Sequence, residues 1–235
     1  MINTNPIFPV FQRAELKSSS SLIAQSLRDV GVCYVTGFDE NINIIKQEFF
    51  DLEVPTTGIV KVLSPDTAKN KAPNSHSILY SPEFNKVKRK ILGPLYNNEI
   101  EIFCQHTLAQ KCPPSGILHF DKRPTFKVWI YLNNIGPDQG PMRVVPNSLF
   151  PELSPLELRR SIGTRKLFQG DSNIHHAAPD FLDKLENSAQ YITGGCGTVF
   201  IHYTESWHAA TPVQDGCHRT IMRSPSRSAL NFLQR

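Results

Sequence analysis

The chain has 235 residues, a formal net charge of +4 and a pI near 8.8, and 40% of its residues are hydrophobic. This length is typical of one domain with a sizeable core. The small positive charge is not the footprint of a nucleic-acid-binding protein. Eighteen prolines and thirteen glycines favour a turn-rich, mainly β protein over a helical bundle.

Cysteine use and the N-terminal sequence bear on the compartment. The five cysteines include no C-x-x-C pair, so we expect free thiols in a reducing compartment. The first residues show no basic segment followed by an apolar run, and no stretch is long enough to span a membrane. We therefore expect a cytoplasmic protein without membrane or nucleic-acid partners, and the sequence does not predict its oligomeric state.

The first half of the chain predicts helices that cover a sheet. An apolar stripe of helical period follows the serines at 18–21 and ends at Gly31. A short strand over 32–38 and a second amphipathic helix over 42–52 come next. Further along, we predict a short strand in G-I-V-K-V-L, a mobile loop over 70–77, and a helix from Ser81-Pro82-Glu83 to about Leu92.

The first candidate metal-ligating residues lie in the stretch from Leu118 to Leu132, L-H-F-D-K-R-P-T-F-K-V-W-I-Y-L. His119 and Asp121 stand ahead of a strand-forming segment over 126–133. Because residues i and i+2 of a strand point to the same face, both side chains can reach one point. Two histidines and one carboxylate hold ferrous iron and leave one side of the metal open. His-x-Asp alone also occurs by chance, and a hydrogen-bonded surface pair is the alternative interpretation.

A third metal ligand has to come from far along the chain, and the residues alone leave several histidines open. One more histidine, His106, lies on an alternating strand predicted over 99–108. It either lines a pocket with the ligands or is a hydrogen-bonded core histidine, which we favour. Strands are also predicted over 198–202 and 219–222. The candidates for the third ligand are His175, His176, His202, His208 and His218.

The motifs L-H-F-D, Y-L-N-N-I, G-P-M-R-V-V-P-N-S, G-T-V-F-I-H-Y-T-E-S-W-H-A-A-T-P and H-R-T-I-M follow one another in this chain. In this order they resemble the phytanoyl-CoA dioxygenase family of iron(II)- and 2-oxoglutarate-dependent oxygenases, from about Glu99 to Met222. In that family the distal histidine precedes a small residue pair and a polar turn, which matches His208. An arginine eleven residues later binds 2-oxoglutarate, and here 208 + 11 is 219, which is Arg219. The resemblance thus implies the iron ligands His119, Asp121 and His208, with His202 as the runner-up.

The resemblance implies a mainly β fold with flanking helices, a double-stranded β-helix (jelly roll, cupin-like), as a single domain over 1–235. It also implies Fe(II) as cofactor and 2-oxoglutarate as co-substrate. The implied activity is that of a dioxygenase (hydroxylase) acting on a polar small molecule or biosynthetic intermediate, with release of succinate and CO2. The alternative is a cupin-like metal-binding isomerase or a non-catalytic binding protein, which would give Arg219 no role.

One position departs from the family pattern. Many relatives place a hydroxyl group two residues after the arginine, where this chain has Ile221. We expect Thr220 or Tyr131 to share the 2-oxoglutarate carboxylate instead. Strand parity with His119 and Asp121 favours a Tyr131 that faces the site, and core packing is its alternative. The cofactor-binding candidates are therefore Arg219, Tyr131, Thr220 and His106.

The segment 151–187 lies between the predicted ligands and is expected to be a lid over the metal site. Residues 151–164 predict a helical insertion, and residues 165–187 predict a long polar loop. Its basic side chains favour a polar or anionic small-molecule substrate, and a solvated basic surface is the alternative. The substrate-binding candidates are Arg159, Arg165, His175 and His176.

Overall fold

The structure, a computed structural model, describes residues 8–38, 42–56, 60–97, 101–109, 116–121, 124–150, 174–176 and 179–228. In chain order, the described strands are β1 (Val10–Gln12), β2 (Val32–Thr36), β3 (Lys61–Leu63), β4 (Tyr96–Asn97), β5 (Ile102–Leu108), β6 (His119–Asp121), β7 (Thr125–Tyr131), β8 (Met142–Val145), β9 (Ile174–His176), β10 (Gln190–Ile192), β11 (Val199–Tyr203), β12 (Trp207–Ala210) and β13 (His218–Ser228). The described helices are α1 (Ser20–Asp29), α2 (Ile42–Asp51), α3 (Pro65–Lys71), α4 (Pro73–Leu79), α5 (Asn85–Leu92) and α6 (Pro179–Ser188).

These strands form two sheets. The eight-stranded sheet has the order β1-β2-β11-β7-β13-β5-β3, and β4 pairs with β13. The five-stranded sheet has the order β10-β8-β12-β6-β9. Neighbouring strands run antiparallel except β1 and β2, which are parallel. Strands distant in sequence therefore alternate within each sheet, and the predicted double-stranded β-helix with flanking helices is confirmed.

Three layers of apolar side chains hold the sheets and helices together. The largest cluster joins the helices of the first half, such as Ile23 and Leu27 of α1, to the outer face of the larger sheet, such as Val128 and Ile201. A second cluster fills the space between the sheets, and a third packs α6 against the outer face of the smaller sheet. Alternate residues of one strand thus enter different clusters, as a pleated strand requires.

The prediction of a mobile loop over 70–77 is wrong, because this stretch belongs to α3 and α4. A proline stands at the first turn of each helix, where its missing N–H costs nothing. The carboxylate of Glu48, on α2, accepts the backbone N–H groups of Asn74 and Ser75 at 2.8 Å each. This cap comes from another helix, so the local sequence could not reveal it.

The prediction of a long polar loop over 165–187 is wrong for the part of this segment that the structure describes. Residues 174–176 form β9, which pairs with β6, and α6 begins at Pro179. His175 and His176 are therefore on a strand. The helical insertion expected over 151–164 lies outside the described residues. Among the described helices, none is both long and apolar enough to cross a membrane.

Candidate metal centre

The two sheets enclose a cavity of about 160 Å³. Its walls on the larger sheet come from one face of three adjacent strands, since β13 pairs with β7 on one side and β5 on the other. The lining residues alternate along each strand, which places every second side chain inside. On these three strands they are Gln105, Thr107, Lys127, Trp129, Tyr131, Arg219, Ile221 and Arg223.

His119, Asp121 and His208 reach this cavity from the smaller sheet. They are a group that could hold a metal ion, and their potential ligand atoms lie within 4.8 Å of one another. β6 and β12 are antiparallel neighbours with His119 and His208 opposite each other, and the two rings are 4.5 Å apart. His208 Nε2 lies 3.8 Å from Asp121 Oδ1. The structure therefore brings the three sequence-predicted ligands together.

Backbone carbonyl groups orient both imidazole rings. His119 Nδ1 is 2.8 Å from the carbonyl oxygen of Ile117, and His208 Nδ1 is 2.8 Å from that of Ser206. A carbonyl oxygen can only accept, so each Nδ1 carries the proton and Nε2 is the nitrogen that can ligate a metal. Burial, helped by the neighbouring His119, lowers the pKa of His208 to about 3, which keeps this ring in the neutral form that binds metals.

Asp121 is held ionised by its neighbours. Burial by itself raises the pKa of this carboxyl, but the charge of Lys127, the nearby His208 and the hydrogen bonds from Lys127 and Thr204 outweigh that effect and lower it. Lys127 Nζ donates to Asp121 Oδ2 at 2.9 Å, while Oδ1 faces His208. One carboxylate oxygen is thus engaged by a lysine and the other is directed to the metal centre. Lys127 was not predicted as a site residue, although its parity with Trp129 and Tyr131 on one strand marks it as inward-facing.

His202, the runner-up ligand, lies beside the triad. It is fully buried, and its ring is 4.5 Å from that of His208 in a T-shaped contact. Its Nε2 is 3.4 Å from the Ser206 hydroxyl, and its Nδ1 is buried without a partner in the described part of the chain. The described group with converging ligand atoms contains His208 and not His202.

Arg219 projects into the same cavity from the larger sheet. It is buried, one guanidinium nitrogen donates to the Gly140 carbonyl, and its Nε has no hydrogen-bond partner among the described residues. Tyr131 also lines the cavity, as strand parity predicted, and its hydroxyl donates to the Ile192 carbonyl at 2.8 Å. Thr107 stands opposite Arg219 in the strand register, and its buried hydroxyl likewise has no partner among the described residues. Thr107 was not predicted as a site residue.

The structure does not bring Thr220 and His106 to this cavity. The two side chains lie opposite each other on β13 and β5, and His106 Nδ1 is 2.8 Å from the Thr220 hydroxyl. The cavity is lined instead by their neighbours Arg219 and Thr107. Because alternate residues of a strand face opposite sides, Thr220 cannot share the face of Arg219, which corrects the expected hydroxyl partner. The ring of His106 stacks on that of His218 at 5.4 Å.

The substrate-binding candidates fall on the segment between the ligands. Arg159 and Arg165 lie outside the described residues. His175 and His176 are on β9, whose backbone pairs His176 with His119 and His175 with Phe120. The strand that carries these candidates thus borders directly on the strand that carries two of the candidate metal ligands.

Two further arginines on the last strand were not predicted as site residues. That strand was expected to end at 222, but β13 continues to Ser228 through Pro225. Arg223 and Arg227 consequently follow Arg219 on the same inward face, at intervals of four residues. The pattern R-x-x-x-R-x-x-x-R in R-T-I-M-R-S-P-S-R indicates three arginines on one face of a strand. It was missed because a proline argues against a central strand.

Comparison with known proteins finds similar structures but no similar sequences. No family model matches the chain, and no curated protein matches it in sequence. Solved structures do match. The epimerase SnoN in complex with Fe3+, α-ketoglutarate and nogalamycin RO is 14% identical with a TM-score of 0.60, over 90% of this chain and 84% of that one.

Two other solved structures give the same result. EctD from S. alaskensis, with 2-oxoglutarate and 5-hydroxyectoine, is 11% identical with a TM-score of 0.58, over 90% of this chain and 77% of that one. A hypothetical protein from Escherichia coli is 12% identical with a TM-score of 0.58, over 94% of this chain and 72% of that one. At these identities the similarity shows a common fold, the cupin-like jelly roll.

Proposed function

We propose that this chain is an Fe(II)- and 2-oxoglutarate-dependent dioxygenase that hydroxylates a polar small molecule and releases succinate and CO2. The observation that carries the proposal is the convergence of His119, Asp121 and His208 in a cavity that Arg219 enters from the opposite sheet. We also propose the finer assignment to the phytanoyl-CoA dioxygenase family and a cytoplasmic location, since the motifs and the cysteine use favour them.

The donor set suits ferrous iron. Two neutral imidazoles and one carboxylate are the facial triad of non-haem iron oxygenases, and they leave coordination positions open for co-substrate and oxygen. His119 and His208 are held by backbone carbonyls and Asp121 by Lys127, so the ligands are oriented before the metal arrives. When bound, iron with 2-oxoglutarate would supply the oxidising chemistry.

Arg219 is the proposed anchor for 2-oxoglutarate. A planar guanidinium binds a carboxylate through two parallel hydrogen bonds, and the Nε of Arg219, unpaired among the described residues, is available for one of them. The Thr107 hydroxyl, next to Arg219 and equally unpaired, is the proposed second donor in place of Thr220. Buried polar groups are rarely left unpaired, so two of them at one cavity wall favour a polar ligand there. Tyr131 is proposed to line the same subsite.

The substrate-binding role of Arg159, Arg165, His175 and His176, and the lid over 151–187, stay predictions. The pairing of β9 with β6 supports them, because it leads this segment past the proposed iron ligands. A lid there would keep water from the oxidising centre.

The test is succinate formation by the purified protein with Fe(II), 2-oxoglutarate and oxygen, at a protein concentration close to that of 2-oxoglutarate. We expect succinate only when all three are present, and none from the His208→Ala variant. A protein that binds iron but forms no succinate under any of these conditions would support the alternative, a metal-binding isomerase or non-catalytic binder.

Hydroxylation itself needs a second measurement, because SnoN is described as an epimerase that depends on α-ketoglutarate. A hydroxylated product gains one oxygen atom, whereas an epimer keeps the mass of its substrate. Mass spectrometry of the product formed with an accepted substrate therefore separates the two reactions. Unchanged mass would contradict hydroxylation and leave the cofactor proposal in place.

A further inference from the structure

A second cavity, of about 280 Å³, begins at the candidate metal centre and extends towards the end of β13. Asp121, Lys127 and Arg223 line both this cavity and the first one. Its walls also include Arg227, so three cationic side chains and one carboxylate surround the space. We call it the basic cavity.

The positive charge of this cavity is not balanced by the described residues. Asp121 is engaged by Lys127 at 2.9 Å and belongs to the metal triad. Arg223 contacts the rings of Phe103 and Trp129, at 4.7 and 5.1 Å, and forms no hydrogen bond to a described residue. The Nε of Arg227 is buried and also without a partner in the described part of the chain.

The three cations also act on one another. The charges of Arg223 and Arg227 repel that of Lys127, and the charge of Asp121 attracts it. Burial lowers the pKa of Arg223 to about 10, so this side chain stays charged at neutral pH. Unpaired cations held partly out of water are unfavourable, so an anion bound between them would complete the cluster.

We propose that Arg223 and Arg227 bind an oxyanion of the substrate, a carboxylate, phosphate or sulfate group, and so place the adjoining part of the substrate at the metal centre. This inference rests on the proposed function for the reaction and adds the class of substrate. The guanidinium fork suits each of these three groups. The anion preference inferred here comes from β13 and does not depend on the segment 151–187.

The basic cavity is distinct from the proposed 2-oxoglutarate subsite. A strand rises roughly 3.3 Å per residue, so Arg223 lies about 13 Å along β13 from Arg219, and Arg227 about 26 Å. A 2-oxoglutarate molecule held at Arg219 is too short to occupy Arg227 as well. The three inward arginines therefore define one anion position at Arg219, near the start of β13, and a second one beyond the metal.

The experiment is calorimetric titration of the full chain with acetate, sulfate and phosphate in turn, each replacing chloride at constant ionic strength. We expect at least one of them to bind, and its identity tells which oxyanion the cavity prefers. Arg227→Gln and Arg223→Gln should each raise its Kd by about tenfold or more. The control is Arg89→Gln, on the exposed face of α5, which should leave the Kd unchanged.

Three results would overturn the proposal: no binding of any of the three anions, equal loss in the Arg89→Gln control, or competition of the bound anion with 2-oxoglutarate. Arg227→Lys guards against a folding artefact, since it keeps the charge without the fork and should bind with intermediate affinity. The titration needs no turnover. Arginine-dependent anion binding without succinate formation would therefore reject the oxygenase proposal and leave the anion site in place.

Discussion

At the scale of single residues, the candidate site depends on which atom of each side chain is already engaged. The Nδ1 atoms of His119 and His208 donate to backbone carbonyls, and Asp121 gives one oxygen to Lys127. The atoms that face each other at the candidate metal centre are Nε2 of His208 and Oδ1 of Asp121. Such prior hydrogen bonds fix the ring orientation and the tautomer before a metal binds.

The choice between the two neighbouring histidines gives a direct prediction. His208→Ala should abolish Fe(II) binding, because it removes one of three converging ligands. His202→Ala should keep much of the binding, because His202 packs against the His208 ring and lies outside the converging group. Anaerobic titration with Fe(II) measures both. Equal loss in the two variants would show that His202 is itself a ligand.

Arg219→Ala should weaken 2-oxoglutarate binding while Fe(II) still binds. The lost bidentate contact leaves the buried carboxylate of 2-oxoglutarate unpaired. The binding free energy should therefore weaken by on the order of 2–4 kcal/mol, which raises the Kd about 30- to 700-fold. Thr107→Val removes the hydroxyl and nearly keeps the side-chain volume, and it should weaken the binding free energy of 2-oxoglutarate by about 1 kcal/mol. Direct binding measurements of 2-oxoglutarate on the iron-loaded protein test both, and an unchanged Kd for Arg219→Ala would place the anchor elsewhere.

At the scale of elements, the segments with a periodic pattern were predictable from sequence. The elements that depend on contacts with distant parts of the chain were not. The apolar stripe of α1, the alternation in β5 and the strand-forming residues of β7 identify those elements from sequence alone. The helix α4 was missed because its cap, Glu48, comes from α2. The end of β13 was missed because Pro225 normally argues against a central strand.

The site shows the same division. The spacing and order of the motifs were sufficient to predict His119, Asp121, His208 and Arg219. Thr107 required the strand register, which places it opposite Arg219, whereas Lys127 could have been recognised from its parity with Trp129 and Tyr131. The same register moved Thr220 to the other face, because a difference of one residue reverses the side on which a side chain lies.

The cap on α4 provides a stability prediction. Glu48 accepts hydrogen bonds from two backbone N–H groups and from the side chains of Asn74 and Ser75, and it is buried. Glu48→Ala should therefore lower the free energy of unfolding by about 2–3 kcal/mol. Urea unfolding measures this, with exposed Glu53→Gln as the matched control, expected within about 0.5 kcal/mol of wild type. A Glu48→Ala effect no larger than the control's would mean that the cap contributes nothing.

At the scale of the whole molecule, the candidate metal centre forms only in the folded chain, because His119 and His208 are distant in sequence and meet through strand pairing. Fe(II) should thus stabilise the protein by about 2.7 kcal/mol at a free concentration of 100 times Kd. Anaerobic thermal unfolding with and without Fe(II) measures this. A chelator should reverse the rise in Tm, and His208→Ala should show none. Equal stabilisation of that variant would mean that iron binds elsewhere.

The two sheets contribute different groups to the interior. The three candidate metal ligands come from β6 and β12 of the smaller sheet, whereas Arg219, Arg223 and Arg227, the inward arginines of the described residues, come from β13 of the larger sheet. If the proposed roles hold, mutations on one sheet can change which molecule is accepted while the other sheet keeps the metal. The two properties can then be selected separately during evolution, and directed evolution towards a new substrate should begin on β13 and leave β6 and β12 untouched.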